Sequence, residues 1–354
     1  MAITSGTTPE QFTGYASKGK GKSLEPWSYT PKPFEPTDVD IKITHCGICG
    51  SDVHTLDSGW GPTTYPVIVG HEIVGEVIRV GSEVKDLKVG QRVGVGARSG
   101  SCNQCEECLR DEENYCSGKA TGTYNATYAD GSRSQGGYAN YTRVPSNWVF
   151  PVPEHLESDA AASLFCAGIT TYLPLKAAKV GPDTAVGVVG IGGLGHLGLQ
   201  WARALDAKKV VAISHSDRKR EDAKELGATE FLALSDTESL KAANRTLDVL
   251  LVAASGSRTN WKDLLSLMRT GGRVMLVGLP EEPLGGIPPM LMAARRIALI
   301  GSLIGSPKDT REMLQVAADK NVRVWYERRP MSKVNEALQD FRDGKARYRY
   351  VLEN

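Results

Sequence analysis

The sequence lacks several features that would place it in a specialised class of protein. It has no excess of charge of either sign, with 42 Lys and Arg against 41 Asp and Glu, so nothing in its charge indicates nucleic acid or a membrane surface as a partner. No apolar run reaches the ~18 residues of a membrane-spanning helix. Residues 1–22 contain no apolar core like that of a secretory signal. We therefore expect a cytoplasmic protein.

The sequence also lacks an even set of cysteines. It has seven, and an odd number argues against a framework of disulfides. Four of the seven lie inside fifteen residues with two-residue gaps, which indicates metal binding rather than cross-linking. At 354 residues the chain is too long for one ordinary core, so we expect about two domains.

The chain changes character near Glu154. Before it, short strand-like runs are joined by turns; from there to about Gly305, helical segments alternate with compact β runs. Alternation of this kind predicts an α/β fold with a doubly wound parallel sheet and crossover helices. The predicted strands are Val67–Val69, Ile73–Val80, Arg92–Val95, Ala185–Val189, Val210–Ser214, Leu247–Ala253, Arg273–Gly278 and Arg296–Ser302. The tail contains predicted helices over Lys308–Asp319 and Lys333–Asp343 and ends on the strand-like RYRYVLE.

The four clustered cysteines have the spacing Cys102-x2-Cys105-x2-Cys108-x7-Cys116. A structural zinc ion takes four soft ligands in a tetrahedron and keeps no open position, and thiolates on one short loop supply such a set. The residues between the cysteines are polar, which is untypical of a buried apolar stretch. We interpret the loop as a structural zinc site. An iron–sulfur cluster is the alternative, because thiolates at such spacings also hold those clusters.

Three further residues are potential ligands of a second metal. They are Cys49 in CGICGSDVH, His71 in GHE and Cys166 in LFCAGITTY. A catalytic zinc uses three protein ligands and keeps one position for water or substrate, and a Cys2His set suits that purpose. Glu72, beside His71, could act as a fourth ligand that exchanges with water. None of these residues is diagnostic alone, and the prediction depends on their combination with the glycine pattern of GHEIVGEVIRVGSEV.

A glycine-rich turn follows the strand-like run Ala185–Val189 and precedes a helical pattern over His196–Leu205. This is the G-x-G-x-x-G motif of a dinucleotide site in its strand–turn–helix context. Gly190 permits the tight turn, Gly192 lets the backbone approach a pyrophosphate, and Gly195 lets the helix pack closely. The helix N-terminus favours the phosphates. The predicted cofactor-binding residues here are Gly190, Gly192, Gly193, Leu194, Gly195 and, in LFCAGITTY, Thr170.

The residue that selects between NAD and NADP should end the next strand, about 20 residues further on. An acid at that position would accept from the ribose 2′-hydroxyl and repel a 2′-phosphate. The chain has Ser214 there, with basic residues just beyond. We therefore predict NADP, with Ser214, His215 and Lys219 holding the 2′-phosphate. The alternative is a solvated run of charge at a helix start.

The run Gly70-His71-Glu72-x2-Gly75-x5-Gly81-x2-Val84 resembles the signature of the zinc-containing alcohol dehydrogenases of the medium-chain dehydrogenase family. CGICGSDVH, the four-cysteine loop, SQGGYANY, LFCAGITTY, GIGGLGHLG and GSLIGS follow in the family's order, and RYRYVLEN extends the match to the end of the chain. The residues of these motifs are most similar to those of the cinnamyl alcohol dehydrogenase branch, including its NADP-dependent fungal members of broad substrate range. Related NADP-dependent members have Arg where this chain has His215.

The resemblance implies which early cysteine binds the metal. The family's ligand directly precedes a residue-Ser/Thr-Asp run, so the ligand is Cys49 and Cys46 is left as a packing residue. The resemblance further implies that Ser51 hydrogen-bonds the substrate oxygen and that His54 takes the proton outward by way of the cofactor ribose. Asp52 would orient the metal-binding histidine. The predicted catalytic residues are Cys49, Ser51, His54, His71, Glu72 and Cys166.

The same resemblance implies the domains and the assembly. We expect a GroES-like β-rich catalytic domain over residues 1–157, completed by 304–354, and a Rossmann cofactor-binding domain over 158–303. Family members of this branch are usually homodimers joined through their Rossmann sheets, and the apolar segment Ile287–Ile300 is the candidate contact. Two zinc ions per chain and NADP are the implied cofactors.

The implied reaction is the interconversion of a primary alcohol and an aldehyde. Trp60, Leu303 and Ile304 lie where such enzymes line the substrate pocket, which predicts an aromatic or medium-chain aliphatic substrate. Plant lignin-pathway members carry Trp in the segment that reads ATGTYNA here, whereas this chain has Gly122, so a roomier pocket is expected. A polyol dehydrogenase is the alternative enzyme. A non-catalytic protein that binds zinc and NADPH is the alternative of another class.

Overall fold

The computed structural model describes residues 8–254 and 259–354, which form two compact units. The first unit contains the described residues up to Cys166, with Gly305–Ala318 and Val324–Asn354. The second contains the described residues of Ala167–Ile304, with Asp319–Arg323. The last 50 residues of the chain therefore belong mostly to the unit that the N-terminal half builds.

The N-terminal part of the first unit is rich in short strands. Its strands are β1 (Phe12–Ser17), β2 (Leu24–Tyr29), β3 (Asp38–Gly47), β4 (Ile73–Val80), β5 (Arg92–Val95), β6 (Arg98–Gly100), β7 (Thr121–Gly122), β8 (Tyr141–Pro145) and β9 (Phe150–Pro151). Its helices are α1 (Gly50–Leu56), α2 (Glu106–Leu109) and α3 (Ser158–Ser163), and a π-helical turn follows at Leu164–Gly168.

The second unit alternates strands and helices. In chain order they are α4 (Ile169–Ala177), β10 (Ala185–Val189), α5 (Gly195–Ala204), β11 (Lys209–Ser214), α6 (Arg220–Glu225), β12 (Glu230–Ala233), α7 (Thr237–Ala242), β13 (Leu247–Val252), α8 (Trp261–Ser266), β14 (Met268–Leu276), α9 (Pro289–Arg295) and β15 (Ala298–Gly301). The chain ends with α10 (Pro307–Asp319), β16 (Tyr326–Pro330), α11 (Val334–Arg342) and β17 (Arg349–Glu353).

The main sheet of the first unit has the strand order β16-β17-β3-β4-β5-β9, and β8 also pairs with β3. All neighbours are antiparallel except β16 and β17. The long central strand β3 buries Val39, Ile41 and Ile43, as period-2 side chains on the covered face of a sheet do. Smaller sheets pair β1 with β2 and β6 with β7.

The second unit is built on a six-stranded parallel sheet in the order β12-β11-β10-β13-β14-β15. This is the order of a doubly wound dinucleotide-binding sheet. Every residue of the central strand β10 is buried, because helices cover both faces of such a sheet and leave no polar side to its inner strands. The predicted α/β fold class is confirmed.

Most predicted elements are present, and one is wrong. The strands Ile73–Val80, Arg92–Val95 and Ala185–Val189 are formed with the predicted bounds. Val67–Val69 is buried but is not a strand, since only Val67 forms an isolated bridge, with Ser17. An apolar run of three residues indicates burial, but it cannot show whether a neighbouring strand is available to pair with it.

In the described part of the chain, no helix is long and apolar enough to cross a membrane.

Candidate metal centres and cofactor site

The four-cysteine loop lies between β6 and β7, the two short strands that close it. The Sγ of Cys105 is 3.4 Å from that of Cys108 and 3.8 Å from that of Cys116, and the Sγ atoms of Cys102 and Cys108 are 4.0 Å apart. A tetrahedron with zinc–sulfur bonds of about 2.3 Å has edges of about 3.8 Å. The loop therefore holds its sulfurs at the spacing that a zinc ion requires.

Backbone N–H groups of the loop point at its sulfurs. The N–H of Cys105 donates to Cys102 Sγ at 3.3 Å, and the N–H of Cys102 donates to Cys116 Sγ at 3.4 Å. Hydrogen bonds to the sulfur, first from the backbone of Cys108, lower the pKa of Cys105 to about 6. Burial raises the pKa of Cys108 to about 12. The loop thus favours the thiolate form at Cys105 before any metal binds.

A second group joins Cys49, His71, Glu72 and Cys166. Their ligand atoms all lie within 4.8 Å of one another, and all four residues are buried. The Sγ atoms of Cys49 and Cys166 are 3.7 Å apart, again the edge of a zinc tetrahedron. His71 Nε2 and Glu72 Oε2 are buried atoms for which the described residues supply no hydrogen-bond partner. Orphaned polar atoms beside two sulfurs fit a metal ion that would satisfy them.

The local backbone explains how these distant residues meet. Cys49 is the N-cap residue of α1, His71 and Glu72 immediately precede β4, and Cys166 lies in the π-helical turn Leu164–Gly168. A single π-helical turn inside a helix is frequent at functional sites. The hydrogen bond with Cys166 lowers the pKa of Cys49 well below its usual value, although burial opposes this.

Cys46 is not part of the second group, although it is only three residues from Cys49. It is fully buried on β3, and its Sγ fills the space beside Gly70 and Gly137, where added Cβ atoms would lie 2.8 and 2.9 Å from it. Burial raises the pKa of Cys46 well above its usual value. The geometry suits the packing role predicted for it.

Asp52 organises the surroundings of His71. Its Oδ1 lies 3.2 Å from His71 Nδ1, and it accepts hydrogen bonds from the N–H groups of Cys49 at 2.9 Å and Gly70 at 3.1 Å and from the Tyr138 hydroxyl at 2.9 Å. Burial would lower the pKa of His71, but the charge and hydrogen bond of Asp52, together with those of Cys49, raise that pKa well above its usual value. A carboxylate behind a metal-binding imidazole fixes its tautomer and orientation.

Glu72 is held from the other side by Arg349. The guanidinium Nη2 donates to Oε1 of Glu72, and Nε donates to the Ser163 hydroxyl at 3.3 Å. Burial raises the pKa of Glu72 to about 7 despite the positive charge of Arg349. Gly47 leaves room for this carboxylate, because a Cβ there would collide with Oε2.

Sequence reasoning missed three residues around this centre, namely Arg349, Tyr138 and Tyr124. The hydroxyl oxygen of Tyr124 lies 2.9 Å from His71 Nδ1. All three lie in segments already used for the resemblance (RYRYVLEN, SQGGYANY and ATGTYNA). Each segment contains other charged, polar or aromatic residues, so nothing in these segments singled out the three side chains.

The remaining predicted catalytic residues lie on α1. Ser51 Oγ is 3.7 Å from Cys49 Sγ. The imidazole of His54 stacks on the indole of Trp60, with ring centroids 4.2 Å apart and planes inclined by 20°. Ser51 and His54 lie three positions apart on α1, which places their side chains on the same face of the helix. Ser51 therefore lies beside the metal group, and His54 lies one turn further along.

The glycine-rich turn of the second unit joins β10 to α5. Gly190 has φ of +86°, which a side chain would strain. A Cβ on Gly195 would collide with the carbonyl oxygen of Gly190. By contrast, the described residues place no atom within 4 Å of a Cβ built on Gly192. The turn is tight where the helix packs on the strand and open at Gly192, where a pyrophosphate would approach.

Lys219 reaches back to this turn. Its Nζ donates to the carbonyl oxygen of Ile191 at 2.5 Å, and burial lowers its pKa. Ser214 is the last residue of β11, and His215 follows it with an exposed side chain. Thr170 is buried near the start of α4. The structure therefore brings Lys219 to the glycine turn.

Comparison with known proteins places this arrangement among the dehydrogenases. The chain is 41% identical over 346 residues to an 8-hydroxygeraniol dehydrogenase of Catharanthus roseus, covering 98% of this chain and 95% of the relative. It is 40% identical to NADP-dependent alcohol dehydrogenase 6 of Saccharomyces cerevisiae, with 97% of each chain covered. Among solved structures, a cinnamyl alcohol dehydrogenase of Sorghum bicolor superposes with a TM-score of 0.92 at 36% identity, with 97% of each chain covered.

Two family models match two separate stretches of the chain. Residues 35–154 match the alcohol dehydrogenase GroES-like domain, and residues 193–319 match the zinc-binding dehydrogenase domain. The fold and the two metal-ligand groups thus define a zinc-binding oxidoreductase, which sets aside an iron–sulfur cluster. The chain belongs to the zinc-containing alcohol dehydrogenases of the medium-chain dehydrogenase family, in the cinnamyl alcohol dehydrogenase branch.

Proposed function

We propose that this protein interconverts a primary alcohol and its aldehyde at the group formed by Cys49, His71, Glu72 and Cys166, with NADP(H) as its cofactor. The observation that carries the proposal is the buried group itself, a Cys2His set with a carboxylate beside it. A bound zinc ion supplies Lewis acidity to the substrate oxygen, and NADP(H) supplies or accepts the hydride.

The chain's own residues would orient the substrate and move the proton. The Ser51 hydroxyl, 3.7 Å from Cys49 Sγ, is placed to hydrogen-bond the substrate oxygen. His54 lies one helical turn away on the same face of α1 and is only partly buried, so it can exchange a proton with its surroundings. In the oxidative direction the proton would pass from the substrate oxygen to Ser51 and on to His54, and in the reductive direction it would return.

The preference for NADP is supported by the residues around the glycine turn, which are the proposed cofactor-binding set. β11 ends on Ser214 rather than an acid, so no carboxylate there would repel a 2′-phosphate. Lys219 already lies at the turn and would add a charge-assisted hydrogen bond to the phosphate. The similar yeast enzyme is named as NADP-dependent.

The proposed substrate is an aromatic or medium-chain aliphatic aldehyde or alcohol. Trp60 offers a large apolar surface, 46% exposed, beside His54. Gly122 has no side chain where plant lignin-pathway members carry Trp, and this favours a broad substrate range. Two relatives are named as dehydrogenases of 8-hydroxygeraniol and of cinnamyl alcohol, which are alcohols with an unsaturated carbon skeleton.

The test is a substrate panel in both directions. NADPH oxidation would be followed with cinnamaldehyde, benzaldehyde and hexanal, and NADP reduction with the matching alcohols and with mannitol. We expect turnover of the aldehydes, its loss when a chelator removes the metal, and its return with zinc. A preference for mannitol would favour a polyol dehydrogenase. No turnover of any aldehyde by protein that holds two zinc ions would contradict the proposal and favour a non-catalytic binder.

We further propose a cytoplasmic homodimer joined through the second unit. The segment Ile287–Ile300 contains α9 and the first three residues of β15, which is an edge strand of the six-stranded sheet. No residue of α9 is buried, and Met290 is 77% exposed, which is typical of an apolar contact surface. Light scattering after gel filtration tests the dimer.

We also propose that residues 1–157 with 304–354 form the catalytic domain and that residues 158–303 form the cofactor-binding domain.

A further inference from the structure

The hydroxyl of Tyr124 hydrogen-bonds the imidazole of His71. Its Oη lies 2.9 Å from Nδ1 of His71. The two rings are tilted by 44°, with centroids 5.4 Å apart. The phenol is therefore positioned by both its ring and its hydroxyl.

The chain around Tyr124 is held firmly. It follows β7, which pairs with β6 at the base of the four-cysteine loop. The preceding residue, Thr123, donates from its N–H to Ala97 at 3.1 Å and from its hydroxyl to the carbonyl of Gly96 at 2.5 Å. The hydroxyl of Tyr124 is thus presented to His71 by a segment with fixed backbone contacts, not by a free loop.

The proton count at His71 assigns a direction to this hydrogen bond. Nδ1 faces Tyr124 and Asp52, and Nε2 is buried without a hydrogen-bond partner among the described residues, so Nε2 is the atom that would offer its lone pair to the metal. A neutral imidazole then carries its proton on Nδ1. That N–H has two acceptors, Tyr124 Oη at 2.9 Å and Asp52 Oδ1 at 3.2 Å. The phenol O–H in turn donates to the Asp52 carboxylate, which can only accept.

We propose that Tyr124 is a positioning residue for the metal centre, whose hydroxyl shares the Nδ1–H of His71 with Asp52 and so fixes the orientation of the imidazole. This inference rests on the proposed role of His71 as a metal ligand. Two acceptors that share one N–H and hydrogen-bond each other restrict rotation of the ring about its bond to Cβ more than Asp52 does alone. Partners of this kind contribute to metal retention as well as to catalysis.

The chain offers a matched control in Tyr128. It lies four residues further along the same segment, and its hydroxyl donates to the Ser99 hydroxyl at 3.1 Å rather than to any metal ligand. Tyr124→Phe and Tyr128→Phe remove the same atom from neighbouring positions. Each leaves an aromatic ring to pack, so both variants are expected to fold.

The experiment measures metal retention and metal geometry in the intact protein. Transfer of zinc from the holoenzyme to a chromogenic chelator gives the rate of loss from each site. The visible absorption of the Co²⁺-substituted protein reports the ligand geometry. We expect Tyr124→Phe to lose the metal of the Cys49 site about 10-fold faster and to shift the Co²⁺ bands, whereas Tyr128→Phe stays within about twofold of the parent.

The outcomes separate this inference from the proposed function. If Tyr124→Phe matches Tyr128→Phe in both rate and spectrum while the parent holds two zinc ions, Tyr124 has no positioning role and the proposed function is unaffected. If the parent binds only the metal of the four-cysteine loop, both the proposed function and this inference fail.

Discussion

Arg349 and Glu72 form a buried ion pair in the first unit, although 277 residues separate them in sequence. Arg349 is 2% exposed and Glu72 is fully buried. The guanidinium binds Oε1 and leaves Oε2 in the group with the two cysteines and His71. One oxygen of this carboxylate is thereby committed to the protein, and the other remains for the metal.

Removal of Arg349 should destabilise the protein strongly. Arg349→Met would leave the buried carboxylate of Glu72 without its positive partner, at a cost of about 3–5 kcal/mol in the free energy of unfolding. Urea unfolding of the first unit measures this. The double variant Arg349→Met/Glu72→Gln should recover part of the loss, because it removes the uncompensated charge as well.

The surface pair of Arg342 and Asp57 is the control for that prediction. Their side chains are 34% and 33% exposed, so water screens the interaction. Arg342→Met should cost less than about 1 kcal/mol. Equal costs for Arg349→Met and Arg342→Met would show that the buried pair contributes no more than a surface pair.

The two early cysteines should respond differently to the same truncation. Cys49→Ala should lower the zinc content from two ions to one per chain and reduce kcat/KM by about 10³-fold, since Lewis-acid stabilisation contributes several kcal/mol. Cys46→Ala should retain two zinc ions and most of the activity, because Cys46 only packs between glycines. Elemental analysis with aldehyde reduction checks both, and zinc loss in Cys46→Ala would reverse the assignment.

Metal binding to the four-cysteine loop should weaken as the pH falls. At pH 8 the Cys105 thiol, with a pKa of about 6, is already ionised, whereas Cys108, with a pKa of about 12, still has to release a proton to the incoming metal. Below about pH 6 Cys105 must release one as well, so the affinity should fall more steeply there, by about one further log unit per pH unit. Chelator competition between pH 5 and pH 8 measures the slope, and a constant slope would contradict the prediction.

Lys219 should contribute to affinity for NADPH and not for NADH. Lys219→Ala would remove the proposed charge-assisted hydrogen bond to the 2′-phosphate, worth about 1.5–3 kcal/mol, so KM for NADPH should rise by about 10- to 100-fold. The kcat/KM with NADH, which has no 2′-phosphate, should stay nearly unchanged. Lys224→Ala, which removes an exposed lysine five residues further along, is the control. Equal losses with both cofactors in Lys219→Ala would mean that Lys219 only braces the turn through Ile191.

Trp60 should influence turnover through its contact with His54. An aromatic pair contributes about 0.5–1.5 kcal/mol beyond its buried area, so Trp60→Leu should lower kcat/KM for an aromatic aldehyde by about 2- to 10-fold. Trp27→Leu is the matched control, because Trp27 stacks on Tyr29 within the β1–β2 sheet. The measurement is kcat/KM for cinnamaldehyde reduction by the two variants. If Trp60→Leu lowers it no more than Trp27→Leu does, the stack of Trp60 on His54 has no role in turnover.

Several features of this protein are determined locally and could be predicted from the sequence. The four cysteines lie within fifteen residues, so a single loop brings their sulfurs together whatever surrounds it. The glycine turn is defined by one strand, one turn and one helix, and Gly190 and Gly195 are required by backbone geometry inside that unit. The continuous apolar run of β10 likewise indicates a strand buried on both faces.

The second metal group is a different case, because its members lie far apart in the chain. Residue types alone suggested Cys49, His71 and Cys166, but the choice of Cys49 over Cys46 required the resemblance to a known family. Spacing could not decide it, since both cysteines precede the same helix. In the structure Cys46 lies on β3, between Gly70 and Gly137, and Cys49 caps α1.

The residues that complete this centre were determined only by the tertiary structure. Arg349 reaches Glu72 because β17 pairs with β3, and Tyr124 reaches His71 because β7 pairs with β6. Strand pairing of this kind depends on which edges are free when the chain folds, and no local pattern in RYRYVLEN or ATGTYNA records it. The sequence by itself therefore determined the family, the four-cysteine loop and the cofactor turn. Only the tertiary structure decided which buried charges and hydroxyls surround the metal ligands.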